Sequence, residues 1–420
     1  MIARNTTARY YNAHVTGMNA GTTTEGGYCV VASASGGEDG LHYLCIVMGA
    51  GEDPEEMGGT VYSYAIANEL LDYAMDNFGM SKLKMQFAMT VLGIILTFIM
   101  ANLDYHVILD RLWLPLLLFS AGILGITLVA GDTGAAMGTA GKSWLTIPVI
   151  GIAVQPSEFV KITFICTFAK HLHSVQATIN KPRTLIGLGL HALLIVGLIL
   201  ASGDLGVALV YMALVLVMLF GAGLHWGYFA GVGAAVVVAF PFLWDFLAAY
   251  QQDRIVVGFN PALDPKDKGW QPLLSKQCIE NGGLFGVGLH GGGDYEELTA
   301  SHTDFILATV CEKFGFIGGL LVIVTLAALV VRVLWIGRQS SHDYGMLISV
   351  GVAGVLIAQT LENVGMCLAI LPVVGITLPF LSCGGSSVLA TYILVGMVHS
   401  VKAHKFRIRS AAILQYPRGT

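Results

Sequence analysis

The chain has 420 residues, 55% of them hydrophobic and 12% charged, with a mean hydropathy of +0.72. A soluble globule of this length carries about twice that charged fraction, so the composition excludes one and fits a polytopic membrane protein. The net charge of -5 comes with dispersed basic residues and offers no nucleic-acid patch, while seven cysteines without a CxxC pair frame neither a zinc site nor a disulfide scaffold.

Residues 1–79 are moderately polar and rich in Gly and Thr, with alternating strand-like runs at 28–33 and 41–48 and a helical pattern at 62–78. No span is expected there, and residues 1–19 lack the apolar core of a signal peptide. Two strands and one helix bury too little surface to fold alone. The segment therefore reads as a small α+β fragment, the end of a domain whose beginning is absent.

From residue 80 onward the pattern changes to apolar windows of about 20 residues. Spans are expected at 84–103, 112–131, 155–171, 184–201, 205–222, 226–247, 304–334, 344–371 and 378–400. This is an all-α domain of about nine transmembrane helices reaching residue 405, followed by a cytoplasmic tail at 406–420. Lys170, Lys181 and Arg183 in one connection, Arg332 and Arg338 in another, and Lys402, Lys405, Arg407 and Arg409 in the tail mark three cytoplasmic ends. The stretches 132–154, 248–303 and 379–387 are then outside, and an odd number of crossings puts residues 1–79 outside too. Lys82 and Lys84 pull the other way, toward a cytoplasmic start.

Three polar islands open apolar runs: Gln155-Pro156-Ser157-Glu158, His302-Thr303-Asp304-Phe305, and Pro379-Phe380-Leu381-Ser382-Cys383-Gly384-Gly385-Ser386-Ser387. A charge at such a boundary is costly without a partner or a chemical task, so the islands predict one site at the outer membrane surface. Each candidate has two readings. Asp304 is either a catalytic carboxylate or a cap for the helix that follows. Glu158 and Lys161 are one turn apart and either pair with each other or meet substrate. Glu312, two turns beyond Asp304, either tunes it or satisfies Lys313. Trp144 is a membrane-belt aromatic or a sugar platform. The amides of Gly384, Gly385, Ser386 and Ser387 form an anion nest, or the glycines permit close helix packing. Asp264, Asp267 and Arg254 read as solvated loop charges.

Several motifs in order carry a resemblance over residues 84–405: Lys142-Ser143-Trp144-Leu145 with Gln155-Pro156-Ser157-Glu158-Phe159-Val160-Lys161; Gly203-Asp204-Leu205-Gly206; residues 260–271 and 282–289; His302-Thr303-Asp304-Phe305-Ile306; Glu312-Lys313-Phe314-Gly315; and residues 371–379 running into 384–387. They resemble the shape, elongation, division and sporulation family, the RodA/FtsW-like peptidoglycan glycosyltransferases. The resemblance implies a ten-span enzyme of the bacterial cytoplasmic membrane that polymerises lipid II in cell-shape elongation, division or sporulation. It implies Asp304 as the catalytic residue, with Lys142, Trp144, Glu158, Lys161, His302, Glu312, Ser386 and Ser387 at the substrate. It also implies a divalent cation, Mg or Mn, held mainly by substrate phosphates, and a class B penicillin-binding transpeptidase as partner. The family's first span has no equivalent here, and Ser143 stands where the family commonly has Arg.

The reaction itself needs one base, because a sugar hydroxyl attacks an anomeric carbon whose lipid pyrophosphate leaves unprotonated. A paired acid is not needed, unlike the two carboxylates of a glycosidase. Two other readings of the membrane domain remain, a flippase or transporter for the same lipid and a non-catalytic scaffold for wall synthesis. Within residues 1–79, the run Gly17-Met18-Asn19-Ala20-Gly21-Thr22-Thr23 with residues 25–34 resembles the third-motif region of serine D-alanyl-D-alanine carboxypeptidases. The Lys-Thr-Gly of that family falls on Asn19-Ala20-Gly21, and its nucleophile motif lies outside the chain, so no carboxypeptidase activity is expected.

Overall fold

The computed structural model describes residues 15–23, 27–35, 42–50, 82–133, 141–147, 152–244, 252, 256–289, 291, 293–340 and 342–404. The chain divides into two compact units, one of residues 1–87, 135–139 and 145–154, the other of residues 88–134, 140–144 and 155–420.

The first unit contains an antiparallel sheet of β1 (Val15–Thr23), β2 (Gly27–Ser35) and β3 (His42–Ala50), in that order. Its register puts Ala20 opposite Val30 and Ala32 opposite Cys45, and the last two are buried together. Strands β2 and β3 coincide with the expected apolar alternation. Strand β1 was not expected, because its Gly- and Thr-rich sequence has little apolar signal of its own and is extended by pairing with β2. The helical pattern at 62–78 and Arg254 lie outside the described residues.

The second unit is a helical bundle. Each of the nine expected spans has a helix: α1 (Lys82–Asn102), α2 (Tyr105–Ala130), α3 (Pro156–Val175), α4 (Pro182–Ala201), α5 (Leu205–Gly221), α6 (Trp226–Trp244), α8 (Ile306–Arg338), α9 (Asp343–Cys367) and α10 (Gly385–Ala403). Among the described residues six of these are long and apolar enough to cross a membrane by themselves, namely α1, α2, α4, α8, α9 and α10. Helix α3 carries Glu158, Lys161 and Lys170, and the apolar runs of α5 and α6 are shorter. An additional helix, α7 (Trp270–Gly282), lies in the long connection before α8.

Cross-links at the helix ends fix their directions. Lys170 Nζ donates to Asp110 Oδ1 (2.5 Å) and to the Tyr344 hydroxyl (2.8 Å), His225 N–H donates to Asn180 Oδ1 (2.8 Å), and Ser400 Oγ donates to the Leu103 carbonyl. One end of the bundle thus gathers the connections that carry Lys170 and Arg338, and the positive-inside bias makes it cytoplasmic. Helix α1 runs parallel to α10, with Gly93 against Tyr392, Met100 against Gly396 and Leu103 against Ser400. It therefore begins at the opposite end. Helix α9 is the central element, with Leu347, Ile348, Val352, Val355 and Leu356 all buried. Gly351 meets Ile165 and Met218, and Gly221 meets Val350, so small residues let the helices approach closely where burial between apolar helices gains little in lipid.

Several boundaries differ from the sequence expectation. Helix α2 starts at Tyr105 rather than 112, α9 ends at Cys367 rather than 371, the last span starts at Gly385 rather than 378, and the span expected at 304–334 is a helix broken at Gly315 (φ 69°, ψ −170°). The break is held by the glycine-rich 282–288 segment. Val287 N–H donates to the Glu312 carbonyl (2.9 Å), Gly288 N–H to the Lys313 carbonyl (3.1 Å), and Phe316 N–H to the Gly283 carbonyl (2.8 Å). These bonds satisfy backbone groups that a helix break leaves open. A Cβ on Gly282 would sit 1.9 Å from the Cys311 carbonyl oxygen, and one on Gly286 2.2 Å from that of Lys313. The glycines allow two backbones to dock.

Candidate functional site

Asp304 lies just ahead of α8, but Phe305 is the flanking residue of that helix and no side chain caps it. The Asp304 carboxyl therefore makes no capping bond to α8, although its charge still lies ahead of the first turn. The backbone around it is fixed from α9 and the 376–383 segment. Asn363 Nδ2 donates to the carbonyls of Asp304 and Ile376, both at 2.7 Å. Ser382 Oγ donates to the Thr303 carbonyl (2.6 Å) and accepts from Leu378 N–H (2.7 Å), and Cys383 N–H donates to the His302 carbonyl (2.8 Å). The carbonyls of the first two residues of the His-Thr-Asp motif are thereby tied to the third polar island, and that of Asp304 to Asn363 of α9.

The Asp304 carboxyl faces Gly375, which has φ 73° and whose missing Cβ would lie 3.4 Å from Oδ2. Glycine adopts that backbone with the least strain, and it puts no side chain against the carboxyl on that side. Crowding of protein around the carboxyl pushes it up to about 6, although the Thr303 hydroxyl bond works against this.

The 374–377 loop links the other islands. Gly206, in the first turn of α5, comes so close to the Val374 carbonyl that a Cβ there would sit 2.4 Å from its oxygen. Asp204 caps α5 through Val207 N–H (3.0 Å) and accepts a second bond from Gln155 Nε2 (2.9 Å). Burial raises the Asp204 carboxyl, and these two bonds pull it partly back. Gln155 N–H donates to Ser386 Oγ (3.1 Å), and the Ser387 and Thr377 hydroxyls lie 2.6 Å apart. Residues from all three islands thus meet at the end of the bundle opposite the basic connections. Gly385 makes only ordinary contact with Met89, so close packing does not account for the paired glycines at the start of α10.

Glu158 and Lys161 are 4% and 1% exposed and form an ion pair at 2.7 Å. At that burial each is the partner the other requires. The Tyr211 hydroxyl donates to the Ser157 carbonyl (2.7 Å) beside them. Glu312 and Lys313 take separate roles. Glu312 Oε2 accepts from Tyr295 N–H (3.0 Å), while Lys313 Nζ donates to the Gly291 carbonyl (2.7 Å) and sits 4.4 Å from the centre of the Tyr295 ring. The expectation that Glu312 satisfies Lys313 is corrected: both side chains pin the outer connection to the segment ahead of the Gly315 break. The Cys278 thiol, pushed up to about 12 by burial and then by Glu312, belongs to the same clamp.

Lys142 and Trp144 lie on β4 (Lys142–Ile147), opposite Thr133 and Asp132. Lys142 is exposed and Trp144 half-buried. A Cβ on the preceding Gly141 would sit 2.6 Å from the Ser202 carbonyl oxygen, so the strand begins beside the loop that carries Asp204. His302 is half-buried. Among the described residues no group of three or more His, Cys, Asp or Glu side chains could hold a metal ion. Sequence reasoning missed Asn363 and the Gln155–Asp204 bond, and it included Ser382 in the third island without its bond to Thr303. The polar run Gln359-Thr360-Leu361-Glu362-Asn363 within an otherwise apolar helix is itself a signal, since such groups in a span need partners.

Fold and site define a multi-pass membrane protein with a carboxylate-centred polar site at one end of its helices. The family model described as a cell cycle protein, FtsW/RodA/SpoVE, matches residues 59–407, and the chain belongs to that family. The probable peptidoglycan glycosyltransferase FtsW of Trichlorobacter lovleyi is 33% identical over 76% of this chain and 83% of its own length. The stage V sporulation protein E of Bacillus subtilis is 32% identical over 82% of this chain and 93% of its own. A chain from the solved structure of a peptidoglycan synthase complex, which coordinates polymerization and crosslinking, matches with a TM-score of 0.67 at 26% identity, covering 80% of this chain and 94% of that one.

Proposed function

We propose that this chain, a peptidoglycan glycosyltransferase of that family, polymerises lipid II at the outer membrane face with Asp304 as its general base. The observation that carries the assignment is a carboxyl that makes no capping bond, has a raised proton affinity and faces a glycine, on a backbone that Asn363 holds through the Asp304 carbonyl. In the step, Asp304 takes the proton of the acceptor sugar hydroxyl as its oxygen bonds to the anomeric carbon of the donor. The bond from that carbon to the pyrophosphate oxygen breaks, the lipid pyrophosphate leaves as an anion, and Asp304 returns its proton to water. The first-turn amides of α10 with Ser386 and Ser387, and Lys142, are the groups we assign to the departing charge. Trp144 and His302 are assigned to the sugars.

A flippase would need polar groups spread through the depth of the bundle. Here Glu158 and Lys161 are closed on each other, which favours the polymerase. The donor set does not fit a protein-held metal centre, so the expected Mg or Mn ion is assigned to the substrate phosphates, and no step above runs through it. Exhaustive chelation is expected to lower polymerisation; unchanged activity would remove the ion from the proposal. A class B penicillin-binding transpeptidase is the proposed partner, supported by the likeness to a chain of a complex that couples polymerization to crosslinking. Failure to co-purify with one in mild detergent would count against it. Strands β1–β3 are proposed as an inactive carboxypeptidase remnant, and acylation of the chain by a labelled penicillin would overturn that.

The deciding experiment is Asp304→Asn, which keeps the shape and removes the base. Glycan product from purified lipid II is expected to fall by about 100-fold or more. Near-normal product from a stably inserted variant would sink the assignment.

A further inference from the structure

At the cytoplasmic end, remote from the site just described, a groove of ≈ 350 Å³ opens between the end of α3 and the start of α4, lined by His171, Thr178, Lys181, Arg183, Thr184 and Gly187. That size is at the lower end for a small-molecule pocket. Among the described residues no ion pair reaches Lys181 or Arg183, and both are exposed, so two cations face the groove without a counter-ion. The first turn of α4 adds to the positive field: Lys181 precedes it without a side-chain cap, and Pro182 opens the helix. At the rim the Thr184 hydroxyl donates to that of Thr178 (3.1 Å), which donates in turn to the Val175 carbonyl (3.2 Å), so the two cations carry the recognition of an anion. A side chain on Gly187 would meet nothing within 4 Å, so this glycine forms open space rather than packing.

Below the charged rim the character changes. Ile186, Leu190 and Leu193 follow on one face of α4 and are 64%, 62% and 61% exposed, an apolar stripe that descends from the basic end into the hydrocarbon depth. A ligand that fits both parts carries an anionic phosphate at one end and an alkyl chain at the other. We propose that the groove is a binding site for a phosphate group at the cytoplasmic leaflet, carried by an anionic phospholipid. Its headgroup phosphate sits between Lys181 and Arg183, and an acyl chain lies along α4. Basic pockets between spans at the cytoplasmic face are suited to such headgroups, because the charge is met at the membrane surface and the chains stay in lipid. Free inorganic phosphate shares the charge but gains nothing from the apolar stripe.

The test is native mass spectrometry of the full chain purified in mild detergent and supplied with phosphatidylglycerol, with phosphatidylcholine as the neutral control. Two variants are compared. Lys181→Gln with Arg183→Gln removes the charge, and Gly187→Phe fills the groove while keeping both cations. Circular dichroism of each establishes that the helices remain. The wild type is expected to retain phosphatidylglycerol in preference to phosphatidylcholine, and each variant to lose about tenfold or more of that adduct. Equal retention by the wild type and the double variant overturns the proposal, as does full retention by Gly187→Phe. Displacement of the lipid by millimolar inorganic phosphate overturns the phospholipid as the source and leaves a free-anion site.

Discussion

Asp304 is useful as a base only when ionised, and its surroundings delay ionisation to about 6. The rate of glycan formation at saturating lipid II is therefore expected to rise with pH through about 6 and level off above it, with about a tenfold deficit at one pH unit below. An acid limb near 4 instead would mean that the carboxyl is unperturbed in the working enzyme. Asp304 was legible in the sequence because a polar run there meets an apolar one. Its support was not, since Asn363 lies 59 positions away and only the folded bundle joins them. The Glu158–Lys161 pair makes a second prediction. Glu158→Gln or Lys161→Met leaves one buried charge alone and is expected to cost about 3 kcal/mol or more, whereas Glu158→Leu with Lys161→Met removes both charges and recovers most of the loss. Thermal unfolding in detergent checks this. Additive losses in the double variant would show that the pairing is not what holds the two residues there. If stability returns without activity, the pair also serves the substrate.

Helices α1–α6 and α8–α10 could be read from the sequence because lipid demands long apolar runs and offers the backbone no other satisfied form across a bilayer. The break in α8 was not, although Glu312-Lys313 interrupts the apolar run just ahead of Gly315, because only the docking of the 282–288 segment makes an interruption affordable in hydrogen bonds. Gly315 is the position where this is testable. Its φ of 69° with ψ of −170° is strained for any residue with a Cβ, and that Cβ would lie 2.3 Å from the Leu284 carbonyl oxygen. Gly315→Ala is expected to destabilise the protein by about 3 kcal/mol or more, since strain and backbone overlap act together. Gly233 is the control: it is helical, with nothing within 4 Å of a built Cβ, so Gly233→Ala is expected to be neutral or to stabilise by up to about 1 kcal/mol. Similar unfolding midpoints for the two variants would mean that the 282–288 segment does not hold the break. Because the same segment leads through Tyr295 to Glu312, loosening it is also expected to reduce activity without touching Asp304.

The helix directions specify which side each connection occupies. Lys170 and Asn180 share an end with Leu103, Tyr344 and Ser400, while Gln155, Asp204, Asp304 and Ser386 share the other. Positive-inside bias assigns the first end to the cytoplasm, and α1, parallel to α10, then starts outside despite Lys82 and Lys84. Two exposed positions test the whole scheme, Lys266 in the connection before α7 and Ser174 at the end of α3. In intact spheroplasts a membrane-impermeant maleimide is expected to label Lys266→Cys, and to label Ser174→Cys only after lysis. The native thiols interfere little, since Cys45, Cys166, Cys278, Cys311, Cys367 and Cys383 are all buried, and Cys29→Ser removes the remaining one. An epitope joined ahead of residue 1 extends the measurement to the segment before α1 and is expected to bind antibody in the same spheroplasts. Labelling of Ser174→Cys before lysis would invert the bundle and put Asp304 on the wrong side for an outer-face polymerase. An epitope hidden until lysis, with the two cysteines as expected, would leave the site in place and show that Lys82 and Lys84 hold the start of α1 inside, so that α1 does not cross.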